Sequence, residues 1–362
     1  MITQTGGRVC SLRRVFWLSV AGFLSAQAYA ATWVGSVGSF TNAANWDTGV
    51  PAAGQPATVA NGGTAQFDGG TAAVGTFSLG DVAGSSGAFE MLAGTLTNNL
   101  FYVGNTGTGG VTQTGGDIMV TAVADPSFGV GFGVGGVGSY AMSDGSLSLL
   151  VGNGNFQVGG RGIGAFTQTG GAVTGNQWMV LGRYAPGGNG TVTVAGGTFN
   201  QINANNRLIV GEEMIGHLTV TNAGVVNLSG GLRVGMNFAG STGTVWLSQG
   251  GVISTPEVLS QGGRSTFNFD GGTLVARGAG VNNGAFFQGL SSAYVRGGGA
   301  LIDSGNNAIT VTQNLLDGGG TGGLTKLGSG LLTLGGANTY AGNTAVSGGI
   351  LSALKPGSLP GY

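Results

Sequence analysis

From about Thr76 to Val275 apolar and polar positions alternate in short bursts, as in Thr191-Val-Thr-Val194 and Thr266-Phe-Asn-Phe269, and each burst stops at glycine. Alternation at period two sends one set of side chains inward and the other outward, which predicts half-buried strands. Phe156 to Trp178, FQVGGRGIGAFTQTGGAVTGNQW, shows the whole unit. An apolar-x-Val-Gly strand end comes first, then a loop, an alternating strand, a Gly-Gly corner and a further apolar step. Near-copies lie on both sides, so the pattern is that of a repeat fold.

Two glycine markers give the period. The first closes apolar-x-Val/Leu-Gly at Gly80, Gly104, Gly135, Gly159, Gly182, Gly211 and Gly235, with Ser260 in the eighth place. The long steps hold insertions around Asp125-Pro126-Ser127 and around Pro186-Gly187-Gly188. The second marker is a corner glycine at Gly94, Gly116, Gly145, Gly171, Gly197, Gly224, Gly251 and Gly272. An apolar residue follows two places later in every unit: Leu96, Ile118, Leu147, Val173, Phe199, Val226, Ile253 and Leu274. The units around Leu218 and Val245 carry one extra residue before the corner, for which a bulge is the expected accommodation. Short strands and glycine corners at this spacing predict an all-β, right-handed parallel β-helix with coils of about 24 residues. Corner glycines would supply positive φ and close approach between coils. A propeller is the alternative, but its blades need about 40 residues.

Residues 31–75 are less regular. Trp33, Phe40 and Trp46 surround Asn42-Ala-Ala-Asn45, and Pro51 and Pro56 follow. Such a segment suits an N-terminal cap over the unpaired edge of the stack. The tryptophans are expected in a core, with sugar stacking by Trp33 and Trp46 as the other reading. The eight-unit repeat region spans 76–275, and 276–321 is a looser continuation of the helix or a linker. Residues 322–351 form a different unit with alternating strands at Leu331–Leu334 and Thr344–Val346. The tail 352–362, KPGSLPGY at its end, reads as a truncated end with no cap, anchor or sorting signal.

Composition sharpens this picture. Of 362 residues 80 are glycine, and 7% are charged where an ordinary domain has about 25%. Periodic glycine between apolar segments argues for order rather than low complexity. Residues 1–30 look like a secretory signal: Arg8, Arg13 and Arg14, then the apolar run Val15 to Leu24, then Ala28-Tyr29-Ala30 with cleavage between Ala30 and Ala31. The run is short for a membrane span, which needs roughly 20 residues; an uncleaved anchor is the other reading. Arg13-Arg14 followed by Phe16 matches a twin-arginine signal only weakly. Cleavage would leave nine basic against 13 acidic residues and remove Cys10, the only cysteine. Disulfides, thiolate catalysis and cysteine metal sites are then excluded, and sparse mixed charge argues against nucleic acid.

Candidate chemistry is thin. The single histidine, His217, stands where other units have Ala88, Ala165 and Thr191, so it reads as a solvent-facing strand residue rather than a base or ligand. Glu212 and Glu213 are adjacent and would face opposite ways in a strand. The remaining acids form no column, so a paired acid/base site for glycoside hydrolysis is not expected. GGRGIG and GGVGSY lack the aspartate of calcium-binding nonapeptides, and no Walker lysine follows the glycine runs. No cofactor and no metal are expected.

The unit GGLTKLGSGLLTLGGANTYAGNTAVSGGIL at 322–351 resembles the autotransporter-associated β-strand repeat of bacterial type V secretion passengers. The resemblance runs through Lys326, Gly328, Gly330, Leu332, Leu334, Asn338, Thr339, Tyr340, Gly342 and Thr344. The units of 76–275 are similar to a repeat shared by type V secreted proteins and PEP-CTERM surface proteins, and TW…NAANW…VP is similar to segments that open such passengers. The resemblance implies a β-helical passenger, exported and displayed or released at a Gram-negative cell surface, with a structural or adhesive role and no catalysis. It implies an unknown surface or matrix ligand, a polysaccharide among the candidates. The outer-membrane translocator expected of such proteins is missing from this chain. The alternative is a secreted polysaccharide-active β-helix enzyme, which an acidic cluster with neighbouring Arg or Lys on one face of consecutive coils would favour.

Overall fold

In a computed structural model of the chain, residues 29–122, 124–150, 154–278 and 285–360 are described. The signal-like stretch 1–28 lies outside them; Ala30 precedes the first strand, and Ala31 opens it fully buried. Among the described residues there are 34 strands and a single 3-10 turn, Ala43–Asn45, but no α-helix. The ladders between strands run parallel, and the chain winds as a β-solenoid of about 11 turns spaced about 26 residues apart.

The coil 156–175 shows the plan. Phe156–Val158, Ile163–Gln168 and Ala172–Gly175 lie on three faces, here termed third, first and second. Each strand pairs with its counterparts one turn before and after. Phe166 lies between Tyr140 and Val192, Val173 between Leu147 and Phe199, and Phe156 between Phe128 and Met179. Parallel pairing at the ~4.8 Å strand spacing brings like positions over like, so a residue suited to the core in one coil is backed by its equivalents in the next. Phe128 and Phe156 stack with centroids 5.0 Å apart at 16°, and Tyr140 and Phe166 at 4.9 Å and 24°. Further along, the third-face ladder is aliphatic at Leu208, Leu232 and Val258 before an aromatic ring returns at Phe287.

Register corrects three sequence expectations. In the third unit the marker glycine is Gly131, not Gly135: Phe128–Val130 pairs with Phe101–Val103 and Phe156–Val158. The tandem FGVGFGVG offered two frames, and the inward Phe128 selects the first; Gly135 sits in a loop with open space around it. The extra residues near Leu218 and Val245 make no bulge, because both strands pair without a shift. The corner turn absorbs them instead, with Asn222 at φ 53 and Gly250 at φ 79 taking the left-handed positions. Consequently Gly94, Gly116, Gly145, Gly171 and Gly197 have positive φ, whereas Gly224, Gly251 and Gly272 do not. Those three are needed for space: a Cβ at Gly224 would lie 2.0 Å from the Val194 carbonyl oxygen.

Parallel pairing also begins earlier than the repeat is legible. Ala31–Thr32 pairs with Ala57–Thr58, and Val37–Ser39 with Thr64–Gln66, so 31–75 forms the first coils. Trp33 and Trp46 are buried and edge-to-face at 5.1 Å, which removes them as sugar platforms. In the described part of 276–321, Ser292–Val295, Ala300–Asp303 and Ala308–Val311 continue the faces, so it is solenoid and not linker.

A second glycine column escaped the sequence reading. Gly138, Gly164, Gly190, Gly216 and Gly243 stand in one rank at the start of the first face. A Cβ at Gly190 would lie 2.0 Å from the Val158 carbonyl oxygen, because the third-face strand ends against it. The signal was the constant Gly in second place of each alternating strand.

Candidate functional site

On the first face the outward side chains are exposed or partly exposed and mostly small: Ala165, Thr191, His217 and Thr244 in one rank, Thr167, Thr193, Thr219 and then Trp246 in another. His217 is half-buried, and burial lowers its pKa from the ordinary value. The third face differs. Its outward residues Gln157, Val180, Ile209 and Arg233 are all buried, though strand alternation should leave them in water.

Flanking loops account for part of this, and they carry a cluster of charged side chains. Asp125, in the first insertion, accepts hydrogen bonds from Asn155 Nδ2 at 2.9 Å and Gln157 Nε2 at 2.7 Å. Arg183, just past the Gly182 corner, forms an ion pair with Asp125. Its Nε also lies 2.8 Å from Glu212 Oε2, close enough for charge attraction but not aligned as a hydrogen bond. Burial raises the Glu212 carboxyl above its ordinary range, and Arg183 opposes that shift. Arg161 and Arg183 both stack on the Tyr184 ring, at 5.2 and 4.8 Å. The two insertions, well apart in sequence, therefore meet on one face, with Arg183 as the tie.

A second cluster sits at the corner between the second and third faces. A groove of about 540 Å³ is lined by Arg207, Arg233, Glu257 and Arg277 among others. Arg233 Nη2 donates to the buried Glu257 Oε1 at 2.5 Å, and Arg207 Nε lies 3.9 Å from the same oxygen. Burial, then the like charge of Arg233, lowers the Arg207 pKa, with Glu257 opposing. The sequence offers no reason to single out or join these arginines: they come from different strands and loops, 26 and 44 residues apart.

Glu212 and Glu257 are each engaged by arginine, an arrangement suited to holding charge in place rather than to trading protons. Among the described residues no three His, Cys, Asp or Glu are grouped to hold a metal.

Near the C-terminus Lys326 occupies an inward position, in rank with Ile302 and Val346. Its buried ammonium donates to the carbonyls of Leu327, Gly328 and Gly348 at 2.6, 2.8 and 3.0 Å. Asn338, also buried, accepts from the Leu315 N–H at 2.8 Å and donates to the Ser358 carbonyl at 2.7 Å. Side chains there do what a strand of the first face does elsewhere. Lys326 and Asn338, two of the residues that carry the passenger-repeat resemblance, thus hold the coil together.

The family model for the passenger-associated-transport-repeat matches residues 324–353, the coil built around Lys326 and Asn338. The chain is also 34% identical over 142 residues to the "Adhesin BmaC autotransporter" of Brucella suis biovar 1 (strain 1330). That alignment covers 38% of this chain and 4% of the relative. No solved structure matches. Both matches support an autotransporter passenger.

Proposed function

We propose that the chain is a surface-displayed, adhesin-like passenger that is exported from a Gram-negative cell and works by binding, without catalysis. The observation that carries this is a passenger transport repeat continuing, in register, a solenoid whose outward elaborations are gathered on one face. A rod of stacked coils presents such a face over a long distance, which suits contact with an extended surface ligand. Two measurements test it. Protease added to intact cells should cleave the chain, and beads coated with the full chain should attach to cell or matrix surfaces more than beads coated with the unfolded chain. Protection from protease, or equal attachment, contradicts the reading.

A second reading is favoured by one observation. Asp125, Arg183 and Glu212 form an acidic cluster with arginine across nearby coils of one face, the feature expected of a polysaccharide-active enzyme. Release of new reducing or unsaturated ends from an acidic polysaccharide incubated with the full chain would establish that enzyme reading; no release keeps the binding role.

A further inference from the structure

We propose that the corner between the second and third faces is a binding channel for an acidic polysaccharide, gripped through Arg207, Arg233 and Arg277. The inference deepens the binding role above and rests on it.

Three depressions run into one another there. The groove of about 540 Å³ shares Ser229 and Arg277 with one of about 450 Å³ that lies over Asn200, Asn227 and Ser254 on the second face. It shares Arg207 and Arg233 with a third, of about 300 Å³, that reaches Trp178 and Gln261. The result is an open channel that crosses several coils, a form suited to a chain rather than to a small enclosed ligand.

Charge in the channel is unbalanced. Three guanidiniums face one carboxylate, and Glu257 is committed at 2.5 Å to Arg233. Arg277 is exposed, and among the described residues its guanidinium has no ion pair or hydrogen bond. Arg207 spends one nitrogen on the Asn205 carbonyl at 2.8 Å and is otherwise only 3.9 Å from Glu257. Guanidinium forks match carboxylate and sulfate geometry in two bonds at once. Glu257 holds Arg233 in place while leaving the channel cationic.

The flanking surfaces select the class of anion. Asn227 Nδ2 donates to Asn200 Oδ1 at 3.0 Å, so the second face offers a ladder of amides and hydroxyls suited to sugar hydroxyl groups. Trp178 at the far end is half-buried and offers a ring. A polyphosphate backbone would demand a continuous basic face, and this chain has 12 basic against 13 acidic residues. Sugars carrying carboxylates or sulfates fit amides, hydroxyls, a ring and localised arginines together.

The test is a titration of the full chain with polygalacturonate, neutral dextran and single-stranded DNA. Saturable, salt-sensitive binding of polygalacturonate alone is expected. Arg207→Gln and Arg277→Gln should each weaken it about tenfold, with circular dichroism unchanged. Lys355→Gln, an exposed cation outside the channel, should leave it within about twofold. Equal binding of dextran, tighter binding of DNA, no saturable binding, or indifference to both arginine variants overturns the proposal. If coated beads still adhere while polygalacturonate fails to bind, this site falls and the adhesive role stands; if neither occurs, both fall.

Discussion

The first and third faces of this solenoid belong to the same coils, yet their outward sides have little in common. Thr167, Thr193 and Thr219 stand in rank on the first, lightly covered, with no insertion over them. Gln157, Val180, Ile209 and Arg233 occupy the matching outward rank of the third, where they are buried and bordered by Asp125, Arg183 and Glu212. Inward positions are constrained alike on both faces, because each is stacked on its own equivalents. Outward positions are free of that constraint, and loops after the strand ends can grow without disturbing the ladder. Specificity can therefore collect on one face while the rod stays the same.

The sharpest way to break the comparison is to attack what both faces share. Gly190 sits where the first face starts against the end of the third, with the Val158 carbonyl 2.0 Å from a would-be Cβ. Gly190→Val should cost more than about 3 kcal/mol and abolish a cooperative melt. Gly297→Ala, at a site with open space and no positive φ, should change stability by less than about 0.5 kcal/mol. Equal losses would remove the glycine column from the account.

Next comes the C-terminal coil. Lys326→Met keeps the volume but strips three carbonyls of their donor. A loss of about 2–4 kcal/mol is expected, measured by denaturant unfolding; a neutral outcome would mean that water replaces the ammonium without cost.

Arg183→Met probes the third face alone. It should cost about 1–2 kcal/mol, because the mostly buried Glu212 loses its counter-charge. Burial already raises the Glu212 carboxyl, and without Arg183 that shift grows. A carboxyl raised in the folded state holds its proton longer than the unfolded chain does. The variant's deficit should thus widen as pH rises through the carboxylate range and be smaller at pH 4 than at pH 7. The first-face counterpart, Thr193→Ala, should be within about 0.5 kcal/mol of the parent at both pH values.

The smallest effect belongs to His217. Its folded-state pKa is lowered by burial, so the unfolded chain takes up the proton first and stability declines as pH falls below about 6.5. His217→Thr, which restores the residue found at Thr191 and Thr244 in its rank, should flatten that limb in melts between pH 5 and pH 7.5. An unchanged slope would place the effect elsewhere.

Much of the rod was legible in the sequence, since period-two alternation and glycine corners are local signals and Val173 or Phe166 announces itself. Frame was harder. FGVGFGVG holds two equivalent readings, and only pairing with Phe101 and Phe156 picks Phe128 over Phe132. The first coils were hidden because Trp33, Phe40 and Trp46 build an aromatic core without the repeat's spacing. The sites were least legible. Asp125 and Arg183 are 58 residues apart, and nothing along the chain says that the loops bearing them reach the same face. The insertions themselves stood out as the places where units differ, and Asp125 of the third-face cluster lies in one of them. The arginine channel gave no such sign: Arg207, Arg233 and Arg277 lie 26 and 44 residues apart, and Arg207, though in the long step from Gly182 to Gly211, stands well past its Pro186 insertion.

The central claim is that recognition belongs to the elaborated corner of the third face and not to the hydroxyl-lined first face. The most direct measurement is the polygalacturonate isotherm of the full chain beside its Arg277→Gln and Thr193→Ala variants, under one salt condition. Affinity should drop about tenfold in Arg277→Gln and hold in Thr193→Ala. Equal affinity in all three, or a loss confined to Thr193→Ala, would contradict the account.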